Sequence, residues 1–362
     1  MPRRPATMLA SSLVLFALLC AGLFLKVPYS EMSPGPTVNT LGESHGEPVL
    51  NISGHQTYPT TGHLNMTTVR VTGADYDMNL LEAAYGWLAD DNIVVPHENL
   101  YPDGKTDKES TQENAEEFSQ SQESAKVAAL KQLGIPVSAR VIVATVVKGS
   151  PSEGKLHAGD VVKNVDGSPV TAPGDVAKLV TKHKPGEPVE FTIVPAAEAA
   201  EAEKANREPT ATTKVTITAG KAQDDGHAVV GIRAGTDHTF PFPIDIKLAD
   251  VGGPSAGLMF ALGIVDKLTP EDLTGGKFIA GTGTIDDTGK VGPIGGIQMK
   301  TIGARQAGAE YFLTPAENCA SAAARVPDGL TLVKVSTIDD ATKALQKISK
   351  GDTAGLPRCT KS

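Results

Sequence analysis

The sequence predicts a chain of mixed α/β class built from three unlike parts. An apolar helix opens it, a mostly-β domain occupies the middle, and a compact α/β layer domain closes it. Residues 5–25 carry no charged side chain. From Ala139 to Ala219, runs of β-branched residues are separated by turn signals. From Gly231 to Ile348, short strand and helix patterns alternate between glycines. The chain has 362 residues, 40 % of them hydrophobic and 21 % charged, enough for two or three folded domains. Its net charge of −9 and 4 % aromatic content argue against nucleic acid as a partner.

The uncharged run lies between Arg3, Arg4 and Lys26. Its length as a helix is about 30 Å, the thickness of a bilayer core. A signal peptide's apolar core is shorter, about 7–15 residues, and no A-x-A cleavage pattern follows the run. Cys20 follows Leu19 rather than the small residue of a lipoprotein signal. A retained single-pass anchor is therefore expected. Arg3 and Arg4 would keep the N-terminus cytoplasmic and place the rest outside the cell membrane.

Val27 to Leu41 reads as an extended segment because of Pro28, Pro34, Gly35 and Pro36. Asn51 to Gly73 reads as strand, with Thr67-Thr68-Val69-Arg70-Val71-Thr72 the best run. Asn79 to Ala89 has Leu80, Leu81, Ala84 and Leu88 on one helical face. The polar stretch from Asp103 to Gln122 fits a loop or a solvated helix, and Ser124 to Leu133 a helix ended by Gly134. His55, His63 and His97 show no ligand spacing, so no metal or cofactor is expected.

Val141-Ile142-Val143-Ala144-Thr145-Val146-Val147 is a strand pattern. A turn and short helix at Pro151 to Ala158 lead to Gly159-Asp160-Val161-Val162-Lys163-Asn164-Val165-Asp166-Gly167. This Gly-Asp-strand-Asp-Gly block resembles a PDZ domain. The resemblance implies a groove that takes an extended peptide as an added strand. Its expected walls are the edge Val141, Ile142, Val143 and Ala144, and a helix from Pro173 to His183 presenting Val176, Leu179 and Val180. Ala196 to Pro209 is expected to be an exposed extension, and Lys221 to Asp225 a linker.

In the last part, Ile244, Ile246 and Leu248 alternate with polar or small residues, as in a strand. Asp250-Val251-Gly252-Gly253-Pro254-Ser255-Ala256-Gly257 follows, then an apolar helix from Leu258 to Val265. Ser255 thus sits at a strand-to-helix turn, where free N–H groups suit a developing oxyanion. Gly253, Pro254 and Ser255 are the expected backbone of that hole. Taken alone, the stretch fits a helix-capping serine better than a catalytic one. The stretch also fits the nucleophile elbow of α/β-hydrolases, but that family needs a histidine after the serine. All eight histidines, the last of them His238, precede Ser255. A lysine can replace histidine as base if burial keeps it neutral. Lys300 follows Gly295-Gly296 in the early turns of a helix, where the dipole disfavours an ammonium.

Gly253-Pro254-Ser255-Ala256-Gly257, Gly281-Thr282-Gly283-Thr284-Ile285 and Val291 to Lys300 together resemble the proteolytic domain of the Lon protease family, in order and spacing. The resemblance implies Ser255 as nucleophile, Lys300 as general base and Thr282 as a hydroxyl that orients the lysine. Many family members carry an acid where this chain has Gly252. The expected domains are then 1–26 tip and anchor, 27–134 N-terminal extracytoplasmic region, 135–220 PDZ-like domain, 221–350 Ser/Lys proteolytic domain and 351–362 tail. Phe240 and Phe242 are expected along the substrate cleft. Gly283 to Lys290 departs from a phosphate loop in spacing, with Val291 where Ser or Thr is needed, so no ATP is expected. The partners implied are protein or peptide substrates at the cell surface, the membrane, and other copies in a homo-oligomer. Cys319 and Cys359 are either a disulfide or two free thiols. The competing reading is a membrane-tethered adaptor with an inactive protease-like domain.

Overall fold

A computed structural model describes the backbone of residues 3–102, 105–205, 207, 209–249 and 251–360. Asp250 and the side chains of Arg3 and Arg4 lie outside the described residues. The chain divides into two compact units, 1–135 with 242–362, and 136–241. The middle unit is thus an insertion within the first. This corrects the expected separate N-terminal domain and moves the end of the middle domain from 220 to 241.

Helix α1 (Arg3–Phe24) has no acidic residue in its first turn and no basic residue in its last, and holds an apolar window, Thr7–Phe24, of which 6 % is buried. Strand β1 (Tyr29–Asn39) follows, then β2 (Leu50–Ile52) and β3 (His63–Val71). Helix α2 (Leu80–Leu88) begins at a reciprocal cap between Asn79 and Glu82. Strand β4 (Ile93–Pro96) precedes α3 (Asp107–Gln132), whose start is fixed in the same way by Thr106 and Glu109. One helix therefore replaces the expected polar segment plus short helix. Its second half is apolar enough to bury Val127, Ala128, Ala129 and Leu130.

The inserted unit holds β5 (Ser138–Val146), β6 (Val161–Val165), α4 (Pro173–Val180), β7 (Pro188–Val194), α5 (Ala196–Lys204), β8 (Thr213–Thr218) and β9 (Ile232–Thr239). The sheet order is β8-β7-β6-β5-β9. Val141, Val143, Val165, Phe191 and Ile217 form its core. The expected exposed extension is largely helix α5, and it packs Ala199 against Val161 and Val194. Its alanines are small enough to let the helix lie on the sheet.

The chain re-enters the first unit with β10 (Ile244–Ile246), paired to β2, and the buried helix α6 (Gly257–Leu268). Then come β11 (Phe278–Gly281), α7 (Ile297–Gln306), β12 (Tyr311–Pro315), α8 (Cys319–Ala324), β13 (Thr331–Val335) and α9 (Ile338–Ser349). The main sheet runs β13-β12-β11-β3-β1-β4. Parallel pairing joins β11 to β3, with Phe278 beside His63 and Gly281 beside Met66. Strands from the two ends of the chain thus form one sheet. Helices α3 and α6 pack together, with Phe118 and Phe260 edge to face at 5.8 Å. A Cys319–Cys359 disulfide, separated by 40 residues, ties the C-terminal segment to α8.

Candidate active site

Ser255 lies in the turn immediately before α6, held from three sides. Its carbonyl accepts from the Gly283 N–H at 2.9 Å and from the Thr282 hydroxyl at 3.0 Å. The Pro254 carbonyl accepts from Ser121 Oγ of α3 at 2.9 Å. The Gly253 N–H donates to the Asn114 carbonyl, also of α3, at 2.8 Å. Any Cβ at Gly252 would come within 2.8 Å of Asn114 Cβ. Helix α3 therefore occupies the space that an acidic side chain at this position would need.

Lys300 is the fourth residue of α7, whose N-cap Gly296 adopts a left-handed φ of 67°. A Cβ on Gly296 would lie 2.9 Å from Val69 Cγ1, so glycine lets α7 start directly against β3. Lys300 is 3 % exposed. Its Nζ donates to the Thr67 carbonyl at 2.6 Å and lies 3.1 Å from Ser255 Oγ. Burial lowers its pKa to about 8. No carboxylate partners it in the described structure, which is what leaves desolvation as the sole cause.

These groups line a cleft of about 770 Å³. Its walls are Met32 and Pro36 of β1, Met66 and Thr68 to Arg70 of β3, Val251, Gly252 and Pro254 to Ala256, and Pro293 to Gly295. The loop carrying Ile294 is pinned by Asn318, which accepts from the Ile294 N–H and donates to its carbonyl, both at 2.9 Å. A serine hydroxyl within reach of a buried amine, in an open cleft on an α/β layer, is the arrangement of a nucleophile and its base in covalent hydrolysis.

Residues 249–347 match the Lon protease (S16) C-terminal proteolytic domain, and residues 114–203 match the PDZ domain. Lon protease of Azospirillum brasilense is 39 % identical over 95 residues, covering 25 % of this chain and 11 % of that protein. Lon protease 1 of Bacillus subtilis is 34 % identical over 91 residues, covering 24 % and 12 %. The chain thus spans about a tenth of the length of the curated relatives it matches. A PDZ domain of an SdrC-like protein from Listeria monocytogenes superposes with a TM-score of 0.21 at 19 % identity, covering 26 % of this chain and 86 % of that one. The chain carries a serine peptidase domain of Lon type and a PDZ domain.

Several expected site residues take other roles. Thr282 touches the Ser255 carbonyl in place of the lysine, because β11 delivers its hydroxyl beneath the serine turn. Pro254 has no N–H, and the Gly253 N–H is taken by Asn114. Of the three expected oxyanion donors, the Ser255 N–H remains. Phe242 is buried against His55 and does not line the cleft, and Phe240 belongs to the other unit. Thr67 and Asn114 act through their backbone carbonyls and Ser121 through its hydroxyl, and none carries a sequence signature; only the strand pattern around Thr67 hinted at β3.

In the PDZ unit, β5 lies inside the sheet. Val141, Ile142 and Val143 pair with β9, Ala144 sits at a register shift between them and Thr145, and Ile142 also pairs with Val161 of β6. No edge is left there for a guest strand. The groove of about 530 Å³ instead runs between α4, with Val176 and Val180, and residues 227–234. Leu179 is half-buried and packs on the core. The open edge belongs to β9, the last strand of the sheet. In the turn from Gly283 to Lys290, Asp286 Oδ1 accepts from the N–H groups of Thr288 and Lys290 at 2.9 and 3.0 Å.

Proposed function

We propose that the chain is a membrane-anchored, extracytoplasmic, ATP-independent serine endopeptidase acting through a Ser255–Lys300 dyad. The observation that carries this is the 3.1 Å approach of Ser255 Oγ to a buried amine whose pKa lies near 8. A neutral amine has two N–H groups and one lone pair. One N–H is held by the Thr67 carbonyl, which steers the lone pair towards the serine. Lys300 takes the hydroxyl proton as Ser255 attacks the peptide carbonyl, then returns it to the leaving amine. The oxyanion develops beside the Ser255 N–H at the start of α6.

The apolar, uncovered window Thr7–Phe24 supports the anchor, and the Cys319–Cys359 disulfide supports an oxidising compartment. The departure of Gly283 to Val291 from a phosphate loop supports independence from ATP. The PDZ groove selects protein substrates by pairing an extended segment with the open edge of β9. Casein hydrolysis by the purified full chain in detergent tests the reading. Cleavage is expected from the wild type and lost in both Ser255→Ala and Lys300→Ala. Cleavage that survives either change would leave the tethered adaptor as the better account.

A further inference from the structure

Helix α2 presents an apolar face that the catalytic unit does not cover. Sequence spacing puts Leu80, Leu81, Ala84 and Leu88 on one side of a helix, as if for a core. The fold buries Ala83 and Gly86 instead, leaving Tyr85, Trp87 and Leu88 at 71 %, 54 % and 86 % exposure. This face is fastened to the outer end of α1. The Leu80 N–H donates to the Leu25 carbonyl and the Val27 N–H to the Met78 carbonyl, both at 2.9 Å. Lys26 Nζ donates to the Asp77 carbonyl at 2.7 Å. Leu81 packs where Gly22 of α1 has no side chain. Phe24, the last residue of α1, is also exposed. Trp87 stacks edge to face with Tyr29, at the start of β1, at 5.2 Å.

We propose that α2 lies in the interfacial layer of the membrane that α1 enters, with Tyr85, Trp87 and Leu88 against lipid. The proposal rests on the anchor reading given above. Aromatic side chains with a polar tip favour that layer, and an apolar helix face lies flat in it. The nearby charges, Asp77, Glu82 and Asp90 with Lys26, are mostly acidic, so the contact is apolar and needs no anionic lipid. The protease is thereby seated on the bilayer rather than swung from it. Met32 of the cleft is eight residues past Phe24, a reach of roughly 29 Å at most. Substrates are accordingly chains presented close to the membrane.

Trp87 is the sole tryptophan of the chain, so its fluorescence reports this contact directly. The full chain is reconstituted in phosphatidylcholine vesicles containing lipids brominated high or low on the acyl chain. Trp87 emission is expected to fall at least twofold with the shallow bromines and less with the deep ones. Tyr85→Asp with Leu88→Asp should at least halve that quenching while casein cleavage in detergent stays unchanged. Vesicles that carry the protein on flotation, yet leave Trp87 unquenched and open to iodide, would overturn the proposal and leave the anchor intact; that result would point to a protein partner on this face. Failure to float would overturn the anchor reading and this proposal together.

Discussion

Replacing Lys300 with methionine removes the amine and keeps the apolar stem. In the folded wild type this lysine has a pKa of about 8, while an unfolded lysine titrates near 10.4. Between those values the unfolded chain binds a proton that the folded chain has released. Wild-type stability therefore rises with pH across that window, by about 1.36 kcal/mol per unit where the difference is complete. Integrated from about pH 7 to about pH 10, the gain is on the order of 2–3 kcal/mol. Lys300→Met lacks it, and the titrations that both proteins share cancel in the difference. Losing the donor to the Thr67 carbonyl shifts the variant by a constant, which leaves the pH dependence untouched. Denaturant unfolding followed by circular dichroism at a series of pH values measures the difference. Wild type minus variant should climb with pH by the amount given. A flat difference would refute the reasoning, because it would mean that folding does not perturb this amine.

Two further outcomes follow from the same contacts. Thr282→Val removes one of two donors to the Ser255 carbonyl. At about 1 kcal/mol, this should slow peptide hydrolysis roughly five- to tenfold, without moving the pH midpoint of the rate. A shifted midpoint would restore Thr282 to the lysine-orienting role. Cys319→Ser with Cys359→Ser opens a 40-residue separation. Chain entropy alone predicts a loss of about 4 kcal/mol, readable as a lowered thermal midpoint, and an unchanged midpoint would contradict it.

The Ser255–Lys300 pair was legible because the proposed chemistry needs particular side chains in particular company. Ser255 stands among small residues, no histidine follows it, and Lys300 comes just after a glycine pair at a helix start. The wall around the dyad was far less legible. Lys300 is held by a backbone carbonyl 233 residues earlier in the chain, and any residue type could offer one. The pairing of His63 with Phe278 is likewise a long-range event. It made residues 27–134 look like a domain of their own, although β1, β3 and α3 build the cleft. The PDZ edge was misplaced for a related reason. Val141 to Ala144 read correctly as a strand, but a strand's composition does not state its rank in the sheet, and β9 took the outer place. Thr282 was found by its block and given the wrong partner, since spacing fixes which turn it neighbours and not which oxygen its hydroxyl meets.

The most direct test needs no knowledge of the substrate. The rate at which a fluorophosphonate probe labels the full chain is followed across pH, and the labelled residue is mapped by mass spectrometry. The account predicts a single label on Ser255, a rate that rises with pH through a midpoint near 8, and no label in Lys300→Met. Labelling elsewhere, or a Ser255 rate indifferent both to pH and to the loss of Lys300, would contradict it.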